Sequence, residues 1–123
     1  RLLPVIQIGK QKTLGALSEA ILAAFEFDDD HCHAFFMDDR YWSDFCAYYS
    51  DDMDEGAEVL QDAAWTTRTE KGDKFKYLFD FGDEWRFQCR VMQELEEKTK
   101  YFRVIKAVGD PPAQYPNWDD EEL

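Results

Sequence analysis

Cysteine is scarce: Cys32, Cys46 and Cys89 are an odd number with no Cys-x-x-Cys spacing, which excludes a disulfide framework and a zinc ribbon and fits a reducing, cytoplasmic setting. Histidine is scarcer still. His31 and His33 are the only two, so a closed zinc site would have to recruit Asp or Cys. Long apolar runs are missing, since Leu2–Ile8 and Ala20–Phe25 fall far below the ~18 residues of a spanning helix, and neither precedes a cleavage signature. No membrane partner is expected. The serines, Ser18, Ser43 and Ser50, lie outside any Gly-x-Ser-x-Gly, and there is no Gly-rich phosphate loop, so nucleophilic hydrolysis and nucleotide binding find no motif.

Basic residues are also few, 14 Lys and Arg against 27 Asp and Glu, for a net charge of −13. The imbalance is concentrated: residues 26–62 carry thirteen acids against Arg40 alone, and residues 109–123 add −5, while the remainder is slightly positive. Such a surface repels phosphate backbones, so no nucleic-acid partner is expected, and it attracts basic proteins or divalent cations.

What the chain does have is aromatic area. Its 123 residues suit one domain, and ten Phe, six Tyr and four Trp supply much of a self-sufficient core. Residues 1–123 are read as a single domain. The chain opens at Arg1 without a Met, directly before an apolar run, so an upstream extension is expected.

The pattern is densest at Lys74–Arg90, KFKYLFDFGDEWRFQCR. Phe75, Tyr77, Phe79 and Phe81 alternate, and after Gly82-Asp83 so do Trp85, Phe87, Cys89 and Val91, which predicts a β-hairpin with one aromatic face. Gly82 is expected at positive φ in the tip and Trp85 in the core. Upstream, Leu3–Ile8 reads as a strand. Thr13 is read as the N-cap of a helix to about Phe25, with Leu14, Leu17, Ile21 and Phe25 at helical spacing, ended by Asp28-Asp29-Asp30. Cys32–Met37 reads as a second strand, Asp38–Gly56 as an excursion pinned by aromatics, and Ala57–Ala64 as a helical turn or two. Lys71-Gly72-Asp73 is a turn into the hairpin, whose second arm runs Glu84–Glu94. Glu96–Lys100 is a further turn and Tyr101–Val108 a third strand. The fold class expected is α+β, an antiparallel or mixed sheet with a C-terminal β-meander and helices packed on one face.

With those elements placed, the chain resembles the Ri-plasmid Orf-three-like family, some of whose members are labelled as TnpR passenger proteins of insertion elements. The likeness is carried by TLGALSEAILAAFEFDDDHCHAF at Thr13–Phe35, GDKFKYLFDFGDEW at Gly72–Trp85 and Pro111-Pro112. It implies a fold and a plasmid or mobile-element context, and no catalytic residues. Where the family carries a His two residues after the Trp, this chain has Phe87, and the family's acidic, Cys- and Gly-rich stretch after Pro-Pro is Ala113-Gln114-Tyr115-Pro116 here. Asp-Phe-Gly also occurs in kinases, but the chain lacks their Gly-rich loop, strand lysine motif and length.

Two constellations bear on chemistry. His31-x-His33 at a strand entry puts both imidazoles on one side, near Asp28–Asp30 and Asp38-Asp39, and His with carboxylate is the ligand chemistry of zinc, manganese or iron. Asp80 and Asp83 bracket the hairpin tip, where paired carboxylates serve acid–base chemistry but turn conformation also favours Asp. The turn reading is preferred. Asp51–Asp62 mimics a calcium loop but has Met53 at a ligand position. Lys74, Phe75, Lys76, Tyr77 and Phe79 lack the Gly-aromatic-Gly signature of an RNA-binding strand.

The preferred reading is therefore a non-enzymatic, cytoplasmic module that engages a protein partner through an acidic, aromatic surface around Asp28–Glu55, with no cofactor. The alternative is a metal-dependent, hydrolase-like enzyme holding a divalent metal at His31 and His33. The candidate functional cluster is His31, His33, Asp30, Asp39, Asp80, Asp83 and Trp85.

Overall fold

The computed structural model describes residues 2–9, 12–43, 47–50, 58–59, 71–93 and 102–114. In chain order these form β1 (Leu3–Ile8), α1 (Leu14–Phe25), β2 (His33–Phe36), β3 (Ala47–Tyr49), β4 (Glu58–Val59), β5 (Lys74–Phe79), β6 (Trp85–Arg90) and β7 (Phe102–Val108). The architecture is α+β and mostly sheet. Five strands are ordered β4-β3-β2-β5-β6, and β1 pairs separately with β7. All pairings are antiparallel except β3 with β4.

Helix α1 starts where its cap chemistry says it should, with Thr13 extended and its Oγ1 accepting the Ala16 N–H at 3.1 Å. Its apolar stripe, Leu14, Leu17, Ile21 and Leu22, is buried. The helix stops before the aspartate run. Glu26 turns left-handed at φ 59°, its N–H reaches the Ala23 carbonyl, and the Phe27 N–H closes on Leu22 at 2.9 Å, a Schellman ending that folds Phe27 back into the core. Asp28–Asp30 follow as exposed loop. Among the described residues no helix is long and apolar enough to cross a membrane.

The main core lies between α1 and one face of the sheet. Phe35, Tyr48, Phe75, Tyr77, Phe79 and Phe87 meet the helix stripe and Phe27 there. The hairpin register pairs Phe79 with Trp85, Tyr77 with Phe87 and Phe75 with Cys89, so both strands aim their aromatics at the helix, as alternation requires. The opposite face is covered too. Ala34, Phe36 and Leu78 are fully buried beneath Tyr41, Ala47, Tyr49 and Phe81, which makes β2 and β5 two-sided strands.

Several expectations change here. Phe81 belongs to the second face, not with Phe75, Tyr77 and Phe79, because Asp80 at φ 64° ends the alternation after Phe79. Gly82 is not at positive φ; Asp80 and Glu84 take the left-handed positions, at φ 64° and 50°. The third strand of the expected meander leaves the hairpin's sheet and pairs with β1, Leu3 opposite Val108 and Ile8 opposite Phe102. Glu58–Val59 is strand, not helical turn. The rest of Ala57–Ala64, the turn at Glu96–Lys100 and the calcium-like stretch apart from Glu58 and Val59 lie outside the described residues.

Candidate functional site

Asp80 organises the hairpin tip. Its side chain is almost buried, its N–H donates to the Cys32 carbonyl at 2.9 Å, and its carbonyl accepts from Glu84 at 2.6 Å. Its Oδ1 accepts the N–H groups of Gly82 at 3.1 Å and Asp83 at 3.3 Å, the local bonding that makes Asp a turn residue. The other oxygen, Oδ2, faces His31 Nε2 at 3.5 Å, and Asp30 Oδ1 is 3.8 Å from the same nitrogen. Asp30 in turn accepts from Gln114 Nε2, and Gln114 clamps both the N–H and the carbonyl of Asp28 at 2.7 and 3.0 Å. The segment after Pro111-Pro112 is thereby tied to the loop before β2.

The candidate residues divide from this point. Asp30, His31, Asp80 and Asp83 gather at the tip, with Asp83 exposed. His33 enters β2, its ring tilted against Tyr77 at 5.8 Å and its backbone N–H bonded to Ser50 Oγ. Trp85 is half-buried, edge-on to Phe27 at 4.9 Å, and its Nε1 is shielded with no partner among the described residues. The described residues contain no group of three or more His, Cys, Asp or Glu side chains that could share a metal ion. Neither the buried Tyr77 hydroxyl nor the thiol of half-buried Cys89 is activated. Burial drives the Tyr77 hydroxyl well above its ordinary range, and it pairs with Ser18. Burial also pushes the Cys89 thiol up to about 12, so it stays protonated.

Asp39 stands elsewhere, on the second sheet face. Its Oδ1 accepts from Gln88 Nε2 at 2.7 Å and meets Lys76 Nζ at 3.1 Å; the Gln88 hydrogen bond, with Lys76 behind it, holds its carboxyl below the usual range. Beside it the Tyr41 ring carries the Arg86 guanidinium at 4.6 Å and the Lys76 ammonium at 5.4 Å. Trp42 comes next, 45% exposed, edge-on to Phe81 at 5.2 Å and tilted against Phe36 at 5.8 Å. Its Nε1 donates to Glu84 Oε1 at 3.4 Å, and Arg86 Nη2 donates to the same oxygen at 2.8 Å. That Arg86 bond holds Glu84 below the ordinary carboxylate value.

Sequence reasoning placed an acidic, aromatic surface at Asp28–Glu55 but missed the cationic hairpin face that meets it. The signal was in the same alternation that exposed the hairpin, because Lys74, Lys76, Arg86, Gln88 and Arg90 occupy the positions between the core aromatics. Two non-glycine residues at positive φ in the loop after β2, Asp39 at 63° and Trp42 at 62°, also lie here.

The model of the family described as plasmid pRiA4b ORF-3-like protein matches residues 5–114. A crystal structure of a protein of unknown function from Methanosarcina mazei Go1 is similar in fold, with a TM-score of 0.57 at 20% identity, over 94% of this chain. The chain spans 57% of that protein's length. No curated protein matches the chain.

Proposed function

The chain belongs to the plasmid pRiA4b ORF-3-like family, and from there we propose that it is a non-enzymatic interaction module that binds a protein partner through the aromatic patch centred on Trp42. One observation carries the reading. A large indole stands 45% exposed on a backbone at φ 62°, a conformation that bulky residues rarely adopt and that is typically retained where it serves a contact. Phe81, Phe36 and Glu84 hold the ring in place, and exposed, preorganised tryptophan is the residue type that anchors protein interfaces. The module is read as cytoplasmic and mobile-element associated, and its charge of −13 argues for a protein over a nucleic acid.

The test is capture from the plasmid-bearing host with tagged protein, comparing the parent with Trp42→Ala. The expected outcome is a partner lost from the variant while the melting temperature holds. Identical captured sets from both would sink the reading.

A second reading, the metal-dependent hydrolase, draws on the nearness of His31 Nε2 to the Asp80 and Asp30 carboxylates, while His33 packs against Tyr77 and the described residues form no three-ligand group. Native mass spectrometry before any chelator addresses it. A bound divalent ion lost in His31→Ala would put this reading ahead.

A further inference from the structure

The outward face of the hairpin is a row of cations in a chain that has almost twice as many acids as bases. Lys74 and Arg90 are register partners, directly opposite on adjacent strands and both exposed, and like charges so placed destabilise a sheet. Neither forms an ion pair among the described residues, although Lys74 lies near enough to act on the Asp39 carboxylate through its charge. Two strand positions along, Lys76 and Gln88 are also register partners and share the Asp39 carboxylate. Further along, Arg86 lies between Tyr41 and Glu84, and Glu84 joins it to Trp42. The row is therefore continuous with the Trp42 patch, and β6 is the last strand of its sheet among the described residues.

Asp39 shows what this row binds. It is a carboxylate reaching in from a neighbouring loop, and it occupies the middle of the row; at one end Glu84 engages Arg86 through Nη2, and at the other Lys74 and Arg90 form no ion pair among the described residues. Arg86 and Arg90 are four residues apart on β6, about 13 Å at strand rise.

We propose that the partner's contact segment is an acidic, extended polypeptide with carboxylates four residues apart, one on Arg86 and one between Lys74 and Arg90, and a neutral residue between them opposite Asp39. This deepens the interaction reading and rests on it. An apolar side chain beyond the first carboxylate reaches Trp42. A nucleic-acid strand fits less well, because Asp39 and Glu84 interrupt the cations and a continuous phosphate backbone cannot skip them. The net charge of −13 opposes encounter with an acidic peptide as it does with phosphate, so binding depends on this local row and strengthens little with length beyond it.

Fluorescence anisotropy with labelled synthetic peptides tests the match. One peptide has Leu followed by two Glu four residues apart in a Thr background; a second has the same composition with Glu two apart; a third replaces Glu by Lys; an oligo-dT strand is the fourth probe. The first peptide should bind the parent protein best, weaken with added salt, and lose roughly tenfold or more in affinity to the Lys74→Glu, Arg90→Glu double variant. Both substitutions are at exposed positions, and a thermal melt checks that the variant folds. Equal binding of the first two peptides, insensitivity to the double variant, or tighter binding of oligo-dT would each overturn the proposal. No peptide binding together with Trp42-dependent capture of a host protein would remove this inference alone. Loss of Trp42 dependence would remove the function reading beneath it.

Discussion

Ser18 Oγ and Tyr77 Oη lie 2.6 Å apart in the middle of the core, each residue almost wholly inaccessible, and join α1 to β5 by a single side-chain hydrogen bond. Tyr77→Phe leaves a buried serine hydroxyl and should cost about 1–3 kcal/mol, as should Ser18→Ala with Tyr77 retained. The double variant removes both polar atoms. It should be less destabilised than the two single losses added together, and urea melts of all four proteins measure that coupling.

Alkaline pH acts on the same region. Tyr77 and Cys89 both have raised folded-state pKa values because burial disfavours their anions, Cys89 reaching about 12 from an ordinary 9.0. Groups with raised values bind more protons folded than unfolded, so their stabilising contribution is complete below the unfolded values and declines as pH rises past them. Thermal melts should fall first as pH climbs above 9.0, with the thiol, and further above 10.0, with the phenol. Cys89→Ala should remove the first part of that decline. Equal slopes in parent and variant would count against the burial of Sγ.

Asp80 should be replaceable by Asn but not by Ala. Asn keeps an oxygen for the Gly82 and Asp83 N–H groups and tolerates φ 64°, whereas Ala loses both bonds and suits the left-handed region poorly. Asp80→Ala should cost about 1–3 kcal/mol, with Asp80→Asn well below that. Equal loss in the two variants would instead point to the carboxylate charge beside His31.

Gly82 in the hairpin tip and Gly72 before the hairpin should respond differently to a methyl group. Gly82→Ala should be near neutral, since its backbone is not left-handed and the new Cβ would meet only Asp80 Oδ1 at 3.4 Å. Gly72→Ala has open space around it but sits at φ 92°, and should destabilise by roughly 1 kcal/mol. Paired urea melts decide it.

Much of this fold is local in origin and therefore readable. Thr13 before an apolar stripe announces α1, and the alternation through Phe75 and Phe87 announces the hairpin. What stayed hidden depends on partners distant in sequence or on backbone sign. Nothing in Glu26 marks it as a left-handed helix ending, a role that more often falls to Gly. Nothing in Phe102–Val108 says that β1, and not the hairpin, receives it. The positive φ at Asp80, more readily assigned to Gly82, moves Phe81 to the other side of the sheet. Of the candidate cluster, Asp30, His31, Asp80 and Asp83 do meet, since they come from the adjoining ends of β2 and β5, which pair as neighbours. Asp39, at the far end of β2, turns away to Lys76 and Gln88. An acidic, aromatic surface at Asp28–Glu55 was legible, but not that Trp42 would be its exposed ring beside Lys76 and Arg86, because exposure of an aromatic is a tertiary fact.

The pairing of β1 with β7 has a consequence for biogenesis. β1 precedes the other described strands in the chain, and its partner β7 is the last of them. During translation the hairpin and α1 can dock while Leu3–Ile8 still presents an open edge, a state prone to mispairing with other chains. Until Phe102–Val108 has left the ribosome, the strand that pairs with Leu3–Ile8 is not there to cover it, so of the described strand edges this one is protected last.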